Sequence, residues 1–161
     1  MPSPFSEKNA LYLLTILEAL QKIKIYARNY PDAESLFEAE DQMPYNGICH
    51  LLLAIGEESK KIEITLKETQ SFISWDEIAG LRNRIAHDYR GIDKDIVFQI
   101  VKHELDTLQK ACEKLLQQLN LPENELNSLC HPELVEGSKG HRGISPRTCD
   151  TTPHRHCGEH R

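Results

Sequence analysis

Apolar residues recur every three or four positions through most of the first 120 residues, and this spacing is typical of amphipathic helices. The repeat is clear from Ser6 to Tyr30, where Pro31 ends it, and again between Asp93 and Pro122. The pattern therefore predicts an all-α fold that begins and ends with a long helix.

Two helices are expected directly after the first. A short one is predicted over residues 32–39. The next has Asp41 and Pro44 as its capped start and an end at about Lys67. Its apolar stripe consists of Ile48, Leu51, Ile55, Ile62 and Leu66.

The fourth predicted helix begins at Ser74, because Ser at the cap and Glu77 three residues later match a capping box. It should end near Arg90, since Gly91 can adopt the left-handed conformation found just beyond helices. Asp93 can then cap a fifth helix. The chain is thus expected to form an up-and-down bundle of about five helices.

Beyond about Asn127 the apolar repeat disappears, so residues 1–126 are predicted to form the helical domain and 127–161 an irregular, disordered tail. The tail is rich in Cys and His, which can ligate zinc, but their spacing fits no zinc module. No metal site is predicted. The Cys and His residues of the tail are Cys130, His131, His141, Cys149, His154, His156, Cys157 and His160.

No targeting signal is predicted from the sequence. The N-terminal residues lack the basic and apolar segments of a secretory signal, and no stretch approaches 18 uninterrupted apolar residues. A cytoplasmic protein without membrane association is expected. Cys49 and Cys112 lie inside helical patterns and are predicted to be buried free thiols.

The formal net charge of −6 does not favour long-range attraction of nucleic acid. Any such contact would depend on a local patch of positive charge. Arg82, Arg84, Arg90 and Lys94 are predicted to form one around the end of the fourth helix.

A helical projection of the fourth helix places Arg82 in the middle of a continuous apolar arc. A guanidinium at such a position needs an anion, because an unpaired buried charge is costly. One interpretation is a purely structural salt bridge. The projection favours Glu58 as its partner, with Glu57 on a more exposed side. The arc consists of Leu81, Ile85, Ile78, Tyr89, Ala86 and Ala79.

Three other polar groups lie near Arg82 on the same helix. Asn83 and His87 are four residues apart and share a face, and Tyr89 lies seven residues beyond Arg82. A cation that binds phosphate, an imidazole and a phenol suit phosphodiester cleavage without a metal. The alternative for His87 is a helix-terminal histidine that the helix dipole favours.

The segment Arg82–Tyr89 reads R-x4-H-x-Y and is preceded by Trp75 and Ile78. Together with residues 54–57 and 91–93, it resembles the HepT branch of the HEPN superfamily. The resemblance covers most of residues 8–120. It implies a helical fold, a homodimer formed through the motif helices, and RNA cleavage in a cleft that two copies share.

The resemblance also implies roles for individual residues. Arg82 would bind and polarise the scissile phosphate, His87 would transfer protons, and Asn83 would orient one or the other. The 2′-hydroxyl would attack and leave a cyclic phosphate and a 5′-hydroxyl, without metal or cofactor. The family pattern favours Glu57 as the buried acidic partner, in contrast to the helical projection, which favours Glu58.

In this family the partner is an MntA-like nucleotidyltransferase antitoxin, which silences the toxin by transferring AMP to the motif tyrosine. Here that acceptor would be Tyr89. The resemblance therefore implies a type II toxin–antitoxin pair, in which the homodimer and the antitoxin could form a larger hetero-oligomer.

Two alternatives belong to other functional classes, an adaptor and a metal enzyme. The main alternative is a non-catalytic HEPN adaptor that uses residues 82–89 to dock a nucleotidyltransferase. A metal enzyme built in a four-helix bundle would need inward Glu and Glu-x-x-His pairs on facing helices, which the helical part of the sequence lacks.

Overall fold

Seven α-helices and no strand occur in residues 4–87 and 92–122, the part of the chain that the computed structural model describes. The prediction of an all-α fold is confirmed. The helices are α1 (Pro4–Ala27), α2 (Ala33–Glu38), α3 (Met43–Lys61), α4 (Ile64–Glu68), α5 (Trp75–His87), α6 (Lys94–His103) and α7 (Leu105–Gln118).

The core lies between α1, α3 and α7, and α1 has its largest contact with α3. Burial of each large apolar side chain stabilises the folded state by about 1.5–3 kcal/mol, so this three-helix core is the main stabilising element. The largest side chains that these helices bury completely include Leu13, Ile16, Leu20, Ile23, Ile48 and Leu115.

Helix α3 differs from its prediction at both ends. It ends at Lys61 rather than Lys67, because the backbone of Ile62 is extended (ψ 135°) and separates α3 from the short α4. Its cap is Gln42 rather than Asp41, and no side chain caps it. Asp41 and Gln42 are both left-handed, with φ of 54° and 66°, because the chain turns sharply before α3.

The predicted fifth helix is divided into α6 and α7, which raises the number of helices above the five expected. The division lies at Glu104, where φ is −105°. The backbone N–H of Glu104 still donates to the carbonyl of Ile100. The chain therefore bends without losing that hydrogen bond, and both Val101 and Leu105 remain buried.

The predicted cap Asp93 is confirmed, and α2 has a further cap, Asp32, that was not predicted. Asp32 accepts a hydrogen bond from the backbone N–H of Ser35 at 2.8 Å, and Asp93 accepts one from that of Asp95 at 2.8 Å. The first helix ends at Ala27, three residues before the predicted end at Tyr30. The predicted end of the fourth helix and the boundary after residue 126 lie outside the described residues.

Cys49 and Cys112 are buried free thiols, as predicted. Burial raises the pKa of both, that of Cys112 to about 12. Within the described ranges, no helix is long and apolar enough to cross a membrane.

Candidate active site

Helix α5 carries most of the candidate residues, and its extensive contact is with α3. Gly56 of α3 is buried at this contact. A Cβ at Gly56 would lie 2.2 Å from the Cβ of Arg82 and 3.2 Å from the carbonyl oxygen of Ile78. The absence of a side chain at residue 56 therefore allows the two helices to approach closely enough to bring Arg82 beside the next residue of α3, Glu57.

Arg82 forms an ion pair with Glu57 through its Nε and the Oε1 of the carboxylate. Glu58 instead pairs with Lys61, at 2.7 Å. The helical projection was therefore wrong to favour Glu58, because the close approach of the helices at Gly56 brings the adjacent residue, Glu57, beside Arg82. The Arg82 side chain is 29% exposed, so its charge remains accessible from one side.

The predicted apolar arc of α5 is only partly covered. Ile85 is buried, whereas Ile78 and Leu81 are half-buried and Ala86 is exposed. The expectation of a buried arc was wrong for Ile78 and Leu81, because both line an open cavity of about 540 Å³ between α5 and α6. We call this cavity the apolar groove. Its apolar lining includes Phe72, Ile78, Leu81, Ile96 and Ile100.

Asn83 and His87 are both exposed, one helical turn apart on α5. The Asn83 Oδ1 accepts hydrogen bonds from an Arg82 terminal nitrogen at 3.0 Å and from the Lys60 Nζ at 3.3 Å. Asn83 is thus fixed between two cations. His87 lies in the last turn of the helix, where the helix dipole favours a positive charge.

Lys60 was not identified from the sequence. It lies four residues after Gly56 and three after Glu57, which places it on the face of α3 that meets α5. That spacing would have identified it once the α3–α5 contact was known. With Arg82, Lys60 gives this edge of the molecule two neighbouring positive charges.

The predicted basic patch is arranged differently from the expectation. Arg84 lines the apolar groove, and Lys94 forms an ion pair with Glu34 of α2. Arg90 and Tyr89 lie outside the described residues. Among the described cations, Lys60 rather than Lys94 is therefore the neighbour of Arg82, since both Lys60 and Arg82 donate to Asn83.

Ile92, the first described residue after α5, is anchored by a hydrogen bond. The Tyr45 hydroxyl donates to the backbone carbonyl of Ile92 at 3.3 Å, and Asp93 then caps α6. Tyr45 is buried and packs edge-on against Phe37, with 5.0 Å between ring centroids. The segment that contains Tyr89 is therefore followed by a partly buried residue, Ile92, that packs against the core.

In the described part of the chain, no three His, Cys, Asp or Glu side chains come together to hold a metal ion. The Cys and His residues of the predicted tail lie outside that part. What the site offers is a positioned guanidinium, a lysine ammonium, an amide and an exposed imidazole. These groups can bind a phosphodiester and transfer protons.

Comparison with known proteins gives a consistent family. A family model described as Ribonuclease HepT-like matches residues 16–115. The chain is 31% identical to the "Probable ribonuclease HepT" of Thermococcus cleftensis over 104 residues, which are 65% of this chain and 92% of that protein. It is 30% identical over 108 residues to MJ1216 of Methanocaldococcus jannaschii, named as a candidate RNase, with 67% and 87% of the two chains covered. No solved structure was found to match.

Proposed function

The chain belongs to the HepT-like ribonuclease family, and we propose that it is a metal-independent endoribonuclease, the toxin of a type II toxin–antitoxin pair. The observation that carries this proposal is the position of Arg82. Glu57 and Asn83 hold its guanidinium at an exposed edge, one to two helical turns from His87. The ribonuclease names of the relatives support the same activity.

In the proposed reaction, an imidazole removes the proton of the RNA 2′-hydroxyl, and the oxygen attacks the adjacent phosphorus. The bond from phosphorus to the 5′-oxygen breaks, and that oxygen takes a proton. The products are a 2′,3′-cyclic phosphate and a 5′-hydroxyl. Arg82 stabilises the charge that develops on the phosphoryl oxygens, and Lys60 adds a second positive charge nearby.

One copy of the chain offers one His87, whereas the reaction needs a base and an acid. We therefore propose a symmetric homodimer that brings two copies of α5 together. The half-buried Ile78 and Leu81 in the apolar groove support this interface. Leu81→Lys should give a monomer by light scattering and lose cleavage. Ile25→Lys, at an apolar residue that is already 55% exposed on α1, should do neither.

The direct test of the activity is incubation of the purified protein with RNA in EDTA. The wild type should leave cyclic phosphate ends, and His87→Ala, purified identically, should not cleave. Equal cleavage by both proteins would show a contaminating nuclease. Cleavage that EDTA abolishes would contradict the metal-independent mechanism.

The proposed antitoxin is an MntA-like nucleotidyltransferase that transfers AMP from ATP to the hydroxyl of Tyr89, with release of pyrophosphate. The added phosphate would repel RNA and occupy Arg82. Intact mass after co-expression should show an adenylyl group that Tyr89→Phe removes. Label on Tyr12 or Tyr26, or unchanged cleavage by the modified protein, would contradict this form of control.

The alternative, a non-catalytic HEPN adaptor, is favoured by one observation. Arg82 binds both Glu57 and Asn83, so the cluster is also consistent with a structural role. The two functions separate in the EDTA assay, because an adaptor would bind the nucleotidyltransferase without cleaving RNA.

A further inference from the structure

A second cavity, of about 910 Å³, lies beside the candidate active site. The end of α3, the short α4 and the first half of α5 form its walls. We call it the lysine cavity, because Lys60, Lys61 and Lys67 line it. Trp75, the single tryptophan of the chain, lines it as well.

The lysine cavity and the candidate active site share one residue, Lys60. Lys60 lines the cavity and also donates to Asn83. Trp75 and Arg82 are seven residues apart on α5, which is two helical turns or roughly 10 Å along one face. Ala79 lies between them and also lines the cavity. A strand bound at Arg82 can therefore reach the cavity within about two nucleotides.

Lys67 is the lysine in the cavity that other charges hold least, since Asp76 attracts it without forming an ion pair. Lys61 pairs with Glu58, and Lys60 is bound to Asn83. Lys67 forms no ion pair with the residues that the structure describes, and its Nζ lies 5.9 Å from the centre of the Trp75 ring. Partial burial lowers the pKa of Lys67. A partly desolvated cation beside an indole is suited to a phosphate next to a base.

Four carboxylates also line the cavity, and they limit what can enter. They would repel a polyanion, so the cavity as a whole does not suit duplex nucleic acid. A single base is neutral and can enter while its phosphate stays at Lys67. The carboxylates belong to Glu63, Glu68, Asp76 and Glu77.

We propose that the lysine cavity binds one nucleotide of a single-stranded RNA, about two nucleotides from the scissile phosphate, with the base against Trp75 and the phosphate at Lys67. The proposal rests on the proposed function for the identity of the strand. It adds a requirement for unpaired substrate, because a base within a duplex could not reach the indole.

The test uses a ten-nucleotide RNA of mixed sequence with every 2′-hydroxyl methylated, which cannot be cleaved by 2′-hydroxyl attack. A dye on the oligonucleotide reports total binding by anisotropy. Tryptophan emission reports the cavity alone, because Trp75 is the single tryptophan. Both signals should change with the same midpoint. The same oligonucleotide in a duplex should bind far more weakly.

Lys67→Ala and Trp75→Phe should each weaken binding roughly tenfold. Lys114→Ala is the matched control, because Lys114 also lies 5.9 Å above an aromatic ring, that of Phe72, but does not line the cavity. It should bind like the wild type. Lys67→Gln, which keeps most of the side-chain stem, should weaken binding as much as Lys67→Ala and leave the melting temperature unchanged.

Three results would overturn the proposal: no binding of the oligonucleotide, saturation of the anisotropy without a change in tryptophan emission, or wild-type affinity of Lys67→Gln. Failure of the proposed function is distinguishable from these. A protein that cleaves ordinary RNA while its tryptophan emission stays constant keeps the activity and loses the cavity. A protein that binds the methylated strand in the cavity but cleaves no RNA would support the cavity proposal and contradict the proposed activity.

Discussion

Gly56 and Arg82 meet at the point where α3 crosses α5, and a Cβ on Gly56 would lie 2.2 Å from the Cβ of Arg82. Real side chains do not approach so closely, so the position of α5 depends on glycine at residue 56. Because Arg82 is at the contact itself, the packing of the two helices and the geometry of the candidate active site are set by the same pair of residues.

Gly56→Ala should therefore destabilise the protein by about 1–3 kcal/mol, as expected for overpacking at a close contact. Denaturant unfolding measures this change. Gly80→Ala is the matched control on α5, because a Cβ there meets nothing within 4 Å. It should stabilise the helix by roughly 0.5–1 kcal/mol. Equal effects of the two substitutions would show that the helices do not cross as described.

Arg82→Ala should abolish RNA cleavage and lower the free energy of unfolding by about 1–2 kcal/mol, because it leaves Glu57 half-buried without its partner. Arg82→Lys should restore little cleavage, since a point charge does not reproduce the planar guanidinium. Cleavage assays and denaturant unfolding on the same preparations provide both measurements. Full activity of the Lys variant would contradict the proposed contact with phosphate.

The ion pair between Lys24 and Asp106 joins α1 to α7 at 2.5 Å, and Lys24 lowers the pKa of Asp106 below its ordinary value of 3.8. A depressed carboxyl pKa stabilises the fold above the unfolded pKa, and this stability is lost as the pH falls through the folded value. Asp106→Asn should lower the melting temperature at pH 6, and the difference should disappear in acid. In a Lys24→Ala background the substitution should have little effect at either pH.

Cys112 should not react with iodoacetamide at pH 8 in the folded protein, because burial raises its pKa to about 12 and the thiolate is the reactive form. Cys49, whose pKa is also raised by burial, should behave similarly. Peptide mass spectrometry after alkylation measures both residues. Denaturant should make both reactive, and rapid labelling of the native protein would show that this part of the core opens.

The helical fold could be predicted from the sequence because apolar spacing, Asp32, Asp93 and the prolines are local signals. The break at Glu104 could not, since the apolar repeat continues through it, whereas α6 contacts α2 and α7 contacts α1. Likewise, the end of α3 depends on the extended backbone at Ile62, which no local capping signal marks.

Part of the candidate site was also predictable, because Arg82, Asn83 and His87 lie on one helix and helical spacing fixes their relation. The partner of Arg82 depends on how α3 crosses α5. A projection of α3 alone favoured Glu58, whereas the close approach at Gly56 selects Glu57. Lys60 was missed for the same reason.

The contact of α5 with essentially one helix has a consequence for local stability. Elements held by few neighbours open more often than the core, because their local opening requires only a fraction of the free energy of global unfolding. Backbone amides of α5 should therefore exchange with deuterium sooner than those of α1, which packs against α3, α6 and α7. Docking of a second copy on the apolar groove should slow exchange in α5 with increasing protein concentration and leave α1 unchanged. Unfolding of the helix that carries Arg82 and His87 would then be coupled to assembly.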